Sequence, residues 1–268
     1  MEKNFKLGVI GAGFMANAII KGVIDAKVLA PSDIIVNDIN EIALEKLKNN
    51  GLSVTLDKEE VFANAEFILL AVKPQTFVTF DAYNNIDKVI SIMAGINKAK
   101  IKEKFIGAKV VRCMPNTPVS VGLGAVGIDF SDLTEEKDVE FVNSLFSNVS
   151  KVAFVSEDKL SAITGISGSA PAYFYLFAKS LIDAGVNQGL TKEEAEKMVL
   201  ATMAGSQKML ENRGDKSIED LIAAVCSKGG TTIEAMKVFN EEKLPEIVDK
   251  AVNACANRAN ELEKLWKT

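Results

Sequence analysis

The sequence contains no histidine. This absence excludes nucleophilic triads in which histidine is the base, zinc sites built on histidine, and dehydrogenases that use a histidine base. Cysteine is scarce too: Cys113, Cys226 and Cys255 are odd in number, far apart and without metal-ligand spacing. They fit a reducing compartment better than a disulfide framework. We therefore predict no metal site, and any chemistry has to proceed without histidine.

Long apolar runs and an excess of positive charge are also missing. No apolar stretch reaches the length of a membrane span, and the first residues lead directly into a strand-like segment rather than a secretory signal. The net charge is −5, whereas nucleic-acid and membrane-surface binders need basic patches. We therefore expect a cytoplasmic protein without nucleic-acid or membrane partners. Its 268 residues suffice for two domains.

The first part of the chain, residues 1–155, alternates short apolar runs with helix-like segments. Several runs are apolar at consecutive positions, which is typical of strands covered on both faces. The alternation predicts βαβ units and a mostly parallel sheet that binds its ligand beyond the carboxyl ends of the strands. The predicted strands are Leu7–Ile10, Ile34–Val36, Phe67–Val72, Val89–Met93, Lys109–Cys113, Ala125–Ile128 and Val152–Val155.

The second part, residues 156–268, shows only helical patterns. Thr191, followed three residues later by Glu194, predicts a capping box. The helix that starts at Pro171 is apolar nearly all the way round, and we expect it to be buried between subunits because five helices make a thin core. The predicted helices are Pro171–Val186, Lys192–Asn212, Ile218–Val225, Ile233–Phe239 and Pro245–Trp266.

A glycine-rich turn, Gly11-x-Gly13-x-x-Ala16, follows the first predicted strand and opens a helix. Gly11 would allow the tight turn, Gly13 would let the backbone approach a pyrophosphate, and Ala16 is small enough for close helix–strand packing. The helix N-terminus would offer free amides and a positive dipole to the phosphates. A turn without a ligand is the alternative, but strand, spacing and helix together favour dinucleotide binding.

The second predicted strand leads into Asn37 and Asp38. An acid at this place would bind an adenine ribose hydroxyl and repel a 2′-phosphate, which favours NAD over NADP. Alternatively, Asp38 caps the next helix. Asn37 or Asn40 could also bind the ribose or cap that helix. The choice between NADH and NADPH therefore stays open.

Two adjacent glycines, Gly229 and Gly230, interrupt the helical pattern and precede two threonines. Consecutive glycines let a loop present backbone amides with no side chain in the way, which suits a carboxylate. A helix beginning near Thr231 would add its positive end. A simple corner between helices is the alternative, but a corner needs only one glycine.

Five motifs, in this order, resemble pyrroline-5-carboxylate reductase over essentially the whole chain. They are Gly11–Ala16, Ala71–Gln75, Arg112–Pro118, Gly165–Tyr173 and Ser227–Ile233. The resemblance implies an α/β fold class, with an N-terminal Rossmann domain followed by an all-helical dimerisation domain. It also implies reduction of (S)-1-pyrroline-5-carboxylate to L-proline by NADH or NADPH, the last step of proline biosynthesis. A homodimer or larger homo-oligomer would assemble through the helical domain.

The resemblance also implies roles for individual residues. The Ser227 hydroxyl and the amides of Gly230 and Thr231 would hold the substrate carboxylate, with Gly229 and Glu157 nearby. The Thr232 hydroxyl would reach the ring nitrogen as the catalytic group. Asn116 and Pro118 would line the nicotinamide pocket. The other implied cofactor residues are Ile10, Gly11, Ala12, Gly13, Phe14, Met15, Ala16, Asn37, Asp38, Ala71, Val72, Lys73, Pro74, Ala94 and Gly95.

Imine reduction suits a protein without histidine. A protonated ring nitrogen already activates the carbon, so the protein mainly supplies proximity and orientation. Three positions depart from the family: Lys228 replaces a usual proline, Ala170 replaces a frequent glycine, and Asp38 occupies a position that often holds a small polar residue. We expect Arg112 to pair with an acid at the sheet's edge rather than to touch a ligand.

Two other functions fit part of the pattern. A β-hydroxyacid dehydrogenase shares the plan of a Rossmann domain followed by helices, but Lys179 lies too far along the first long helix to match its catalytic lysine. A regulatory protein could sense the dinucleotide and reduce nothing. The loop from Ser227 to Thr232 argues against such a sensor, which needs no carboxylate pocket.

Overall fold

The computed structural model describes residues 3–265, which form two compact units. One unit comprises the described residues up to Pro171 and those from Asn253 onward; the other is Ala172–Val252. The domain boundary between residues 155 and 156 remains a prediction. The predicted end of the last helix at Trp266 lies outside the described residues.

The first unit is built on one twisted sheet, in which the described strands have the order β3-β2-β1-β4-β5-β6-β7-β8. All neighbouring strands are parallel except β6 and β7. The mostly parallel sheet is thus confirmed; β3 was not predicted. The strands are β1 Phe5–Ile10, β2 Ile34–Asn37, β3 Ser53–Thr55, β4 Ala65–Leu70, β5 Lys88–Ser91, β6 Lys109–Pro115, β7 Gly124–Asp129 and β8 Ser150–Phe154.

Helices cover both faces of this sheet. Ile34 and Val36 of β2 enter one apolar cluster, while Ile35 between them enters the cluster on the opposite face. Burial on both faces explains why these strands are apolar at consecutive positions. The helices are α1 Phe14–Asp25, α2 Glu41–Asn49, α3 Lys58–Asn64, α4 Pro74–Phe77, α5 Lys98–Lys104, α6 Glu136–Ser147 and α7 Leu160–Ile163, which continues into a π-helical turn, Thr164–Gly168.

The remaining described segments are helical, as predicted. They are α8 Ala170–Asn187, α9 Lys192–Glu211, α10 Ile218–Val225, α11 Thr231–Glu241 and α12 Leu244–Leu265. The capping box at the start of α9 is confirmed, since the Thr191 hydroxyl accepts from the Glu194 amide and Glu194 accepts from the Thr191 amide. Within residues 3–265, no helix is both long and apolar enough to cross a membrane.

Candidate active site

The glycine turn after β1 has the geometry that a dinucleotide requires. Gly11 adopts a φ of +101°, and a Cβ on it would stand 2.8 Å from the carbonyl oxygen of Ala71. Only glycine fits there, because both the conformation and the approach to β4 exclude a side chain. Gly13 is the N-cap of α1, and a Cβ on it would meet no described atom within 4 Å. The turn is thus tight at Gly11 and open at Gly13.

The first turn of α1 presents free amides at this opening. No described side chain caps the helix, and the amides of a first turn have no partner within their own helix. The Asn17 side chain donates to the carbonyl oxygens of Ala12 and Gly13, at 2.6 and 3.0 Å. Asn17 thereby satisfies the carbonyl oxygens of the turn, and the backbone amides of the first helical turn stay available to a phosphate. Asn17 was not predicted, although a polar residue one turn into an apolar helix was a usable signal.

The polar residues after β2 have separate tasks. Asn40 caps α2 by accepting from the amides of Ile42 and Ala43. Asn37 is buried, and its side chain donates to the Thr55 carbonyl oxygen of β3 at 3.1 Å.

Asp38 is not a helix cap, because its carboxylate turns toward the glycine loop. One oxygen accepts from the Ala12 amide at 2.6 Å and the other from the Asn40 amide at 2.8 Å. Asp38 therefore places a negative charge beside the glycine turn.

The predicted cofactor residues meet at one edge of the sheet. Ile10 ends β1 and its carbonyl accepts from the Ala71 amide at 2.9 Å, so that Gly11 and Ala71 lie side by side. Phe14 and Lys73 are exposed and Ala16 is buried. Three adjacent strand ends thus present Gly11–Ala16, Ala71–Pro74 and Ala94–Gly95 together, where parallel sheets bind nucleotides.

Asn116 is buried, and both ends of its amide are engaged. Its nitrogen donates to the Ser167 carbonyl oxygen at 3.2 Å, and its oxygen accepts from the Ala125 amide at 2.9 Å. The side chain therefore fastens the π-helical turn to β7. Its implied contact with nicotinamide stays a prediction.

Arg112 lies between two carboxylates, as the expected pairing with an acid requires. Its side chain is 2% exposed, and its Nη1 donates to Glu157 at 3.0 Å and to Glu263 at 2.8 Å. The same Glu157 oxygen accepts from the Lys98 amide at 2.7 Å. Glu157, implied as a substrate residue, is thus bound to Arg112 and to the start of α5.

A buried ion pair lies next to this group. Lys98 Nζ stands 3.0 Å from Asp129, and both side chains are less than a tenth exposed. Burial alone would raise the pKa of Asp129, but hydrogen bonds from Ser131 and Lys98 outweigh it and the pKa lies below its usual value. Asp129 is therefore charged at neutral pH and holds Lys98 in place.

The glycine pair of the second unit forms a turn that leads into α11. The Gly230 amide donates to the Ser227 carbonyl oxygen at 2.9 Å, and Gly229 adopts a φ of +74°. This turn occupies one of the two amides that were expected to hold the carboxylate. α11 begins at Thr231, and no described side chain caps it.

The hydroxyls of this loop are free. In the part of the chain that the structure describes, those of Ser227, Thr231 and Thr232 have no hydrogen-bond partner. Uncapped amides and free hydroxyls together form a group of donors for an anion. Lys179, the candidate of the rival dehydrogenase family, is exposed and pairs with Asp183 one turn further on.

Comparisons with known proteins cover both parts of the chain. A family model described as pyrroline-5-carboxylate reductase dimerisation matches residues 157–262. A second, described as NADP oxidoreductase coenzyme F420-dependent, matches residues 6–95, which include the glycine turn.

Individual relatives match over nearly their full length. The pyrroline-5-carboxylate reductase of Synechocystis sp. is 34% identical over 97% of this chain and 99% of its own length. That of Staphylococcus haemolyticus is 36% identical over 97% and 98%. Among solved structures, the Coxiella burnetii enzyme has a TM-score of 0.85, 33% identity and coverage of 97% and 99%. The Plasmodium falciparum enzyme with NADP bound has a TM-score of 0.84, 30% identity and coverage of 98% and 100%. This chain belongs to the pyrroline-5-carboxylate reductase family.

Proposed function

We propose that this protein reduces (S)-1-pyrroline-5-carboxylate to L-proline in the cytoplasm. The observation that carries the proposal is the loop Ser227–Thr232, whose free hydroxyls and uncapped helix start suit a substrate carboxylate. A protein that only sensed the dinucleotide would need the glycine turn alone. The exposed Lys179 gives no support to a lysine-dependent dehydrogenase.

The glycine edge of the first unit is the dinucleotide site in this proposal. The amides at the start of α1 bind the pyrophosphate, the open space at Gly13 admits it, and Ala94 and Gly95 contact the nicotinamide end. NADH or NADPH supplies the hydride when bound. The residues present thus fit the group that the family uses.

The loop of the second unit holds the imino acid. The Ser227 hydroxyl and the amide of Thr231 donate to the carboxylate; the turn bond leaves Gly230 a shaping role. The Thr232 hydroxyl accepts from the protonated ring nitrogen and so orients the imine carbon. Because the proton that activates the imine comes with the substrate, no histidine is needed.

The helical part assembles two copies of the chain in this proposal. α8 carries Phe174, Tyr175 and Leu176, which are 60%, 66% and 66% exposed in one chain. A patch of this kind is typical of a subunit interface. The match to a dimerisation family model over residues 157–262 supports the same assignment.

Turnover of pyrroline-5-carboxylate tests the proposal directly. We expect the protein to oxidise both NADH and NADPH, with the higher kcat/KM for NADH, because Asp38 would repel a 2′-phosphate. The measurement is the initial rate of nicotinamide oxidation with each nucleotide in parallel. Nucleotide binding without turnover would contradict the reductase and favour the sensor.

The variant Asp38→Ser is the control for the nucleotide preference. It should raise the NADPH-to-NADH ratio of kcat/KM about tenfold, because a like charge beside the phosphate is removed. The variant also removes the hydrogen bond that Asp38 accepts from the Ala12 amide, which would weaken the binding of both nucleotides. Only the ratio of the two kcat/KM values is therefore informative. An unchanged ratio would show that Asp38 does not face the ribose.

The variant Thr232→Ala should slow turnover without abolishing it. The hydroxyl only orients the ring nitrogen, so we expect kcat to fall roughly ten- to a hundredfold. Thr231→Ala is the matched control, because it keeps the backbone amide and should change kcat less than about twofold. Equal kcat values for the two variants would show that the Thr232 hydroxyl has no role in the reaction.

A further inference from the structure

The C-terminal part of α12 packs on the sheet edge that carries the candidate nucleotide site. Cys255 Sγ lies 3.2 Å from Ser169 Oγ, and Ser161 Oγ donates to the Asn260 side chain at 2.6 Å. Further along the same helix, Glu263 binds Arg112 at 2.8 Å. The helix is therefore fastened over two turns, and it ends beside β5 and β6.

α12 packs directly against Gly95. Gly95 is buried with a φ of +74°, and a Cβ on it would stand 2.9 Å from Leu262 Cβ. No side chain fits between the turn after β5 and α12, so the helix backs this turn. Ala94, the neighbouring residue, is exposed.

A chain of polar contacts fixes the other end of the same turn. Glu263 binds Arg112, Arg112 binds Glu157, and Glu157 accepts from the Lys98 amide, three residues after Gly95. The segment from Ala94 to Lys98 is thus held at Gly95 by Leu262 and at Lys98 by Glu157. The first contact is made by α12 itself, and the second is linked to α12 through Arg112.

The segment has room to move if this support is lost. A cavity of about 320 Å³ lies between it and the helix, lined among others by Ala94, Arg112, Leu262 and Glu263. Empty space of this size lets a loop relax into it, because no packed neighbour opposes the shift. On this side of the loop the polar chain adds to two other restraints, the buried side chain of Ile96 and the Lys98–Asp129 ion pair.

We propose that Glu263 is a positioning residue for dinucleotide binding. Through Arg112 and Glu157 it keeps Ala94–Lys98 in the conformation that receives the nicotinamide end. The proposal rests on the proposed function, because it takes Ala94 and Gly95 as nucleotide contacts. The proposal gives a role to Glu263, which lies more than 150 positions after Arg112 in the sequence.

The test compares Glu263→Gln with Glu261→Gln. Glu261 lies on the same helix and forms an exposed ion pair with Arg258, so its variant controls for the change of charge. We expect Glu263→Gln to raise the Kd of NADH about tenfold, measured by calorimetry on the full-length protein, and Glu261→Gln to leave it unchanged. The KM for pyrroline-5-carboxylate should change less than about twofold in both.

Three outcomes separate positioning from mere packing. A raised Kd with a Tm within about 2 °C of the control supports the proposal. An unchanged Kd overturns the proposal. An equal rise of the KM for NADH and the KM for pyrroline-5-carboxylate, together with a lowered Tm, also overturns it. Arg112→Lys keeps the charge but places its nitrogen one bond closer to the main chain than Nη1, the atom that contacts both carboxylates. It should raise the Kd as well, and an unchanged Kd there also overturns the proposal. A wild-type protein that binds NADH but reduces nothing would refute the reductase and leave the Kd comparison valid.

Discussion

Gly11→Ala should abolish measurable dinucleotide binding and lower the free energy of unfolding by roughly 2–4 kcal/mol. The φ of +101° is unfavourable for alanine, and the new Cβ would stand 2.8 and 2.9 Å from the carbonyl oxygen and carbon of Ala71. Those atoms are backbone of the neighbouring strand end and cannot rotate away. Relieving the contact would move the ends of β1 and β4 apart, and with them the turn that we propose binds the pyrophosphate.

Two matched variants separate these effects. Gly13→Ala has an ordinary φ of −71° and meets no described atom, so stability should change less than about 0.5 kcal/mol. Its affinity for NADH should still fall roughly thirtyfold or more, because the methyl group takes space that the pyrophosphate needs. Gly107→Ala, at a φ of +81° with open space around it, should cost about 1 kcal/mol and leave binding intact. Urea denaturation and calorimetry measure both quantities, and wild-type affinity in Gly13→Ala would place the pyrophosphate elsewhere.

Arg112→Met should lower the free energy of unfolding by about 3–5 kcal/mol. The guanidinium is almost fully buried and is shared by two carboxylates, which its removal leaves close together without a counter-charge. Thermal denaturation should show a fall in Tm of roughly 10 °C. Arg258→Met on α12 is the control, because its ion pair with Glu261 is exposed and should contribute less than about 1 kcal/mol.

A triple variant identifies the cause of that loss. If uncompensated charge dominates, adding Glu157→Gln and Glu263→Gln to Arg112→Met should restore part of the stability, because no partly buried carboxylate is then left without a counter-charge. A triple variant less stable than Arg112→Met would show instead that the hydrogen bonds themselves carry the energy. A small effect in Arg112→Met itself would show that solvent screens both carboxylates, which are 31% and 22% exposed.

The central strands could be predicted because burial on both faces makes their residues apolar at consecutive positions. Ile34–Val36 is apolar throughout, since alternate side chains enter cores on opposite faces. β3, Ser53–Thr55, was missed because it pairs only with β2, is half-buried and contains one apolar residue. The antiparallel direction of β7 has no signature in an apolar run. α11 starts at Thr231, as the loop Ser227–Thr232 indicated, whereas the apolar pattern alone placed its start at Ile233, because two threonines carry no apolar period.

The local part of the candidate site was predictable in the same way. Gly11 and Gly13 are specified by spacing within a few residues of a strand end, and the structure gives them the required shape. The partners of Arg112 could not be read from the sequence, because Glu263 lies 151 residues away and nothing local marks it. The engaged amide of Gly230 depends on how the turn closes, which residue types alone do not determine.

The packing of α12 on Gly95 has a consequence for how the protein is made. Strands β1 to β8 leave the ribosome first and can pair as they emerge, since nascent domains fold from the N-terminus. The turn at Gly95 and the guanidinium of Arg112 must wait for Leu262 and Glu263, which are synthesised after all eight strands. A nascent or truncated chain can therefore hold a complete sheet while its nucleotide edge is unfinished. Synthesis of α12 is the step that completes the candidate nucleotide site.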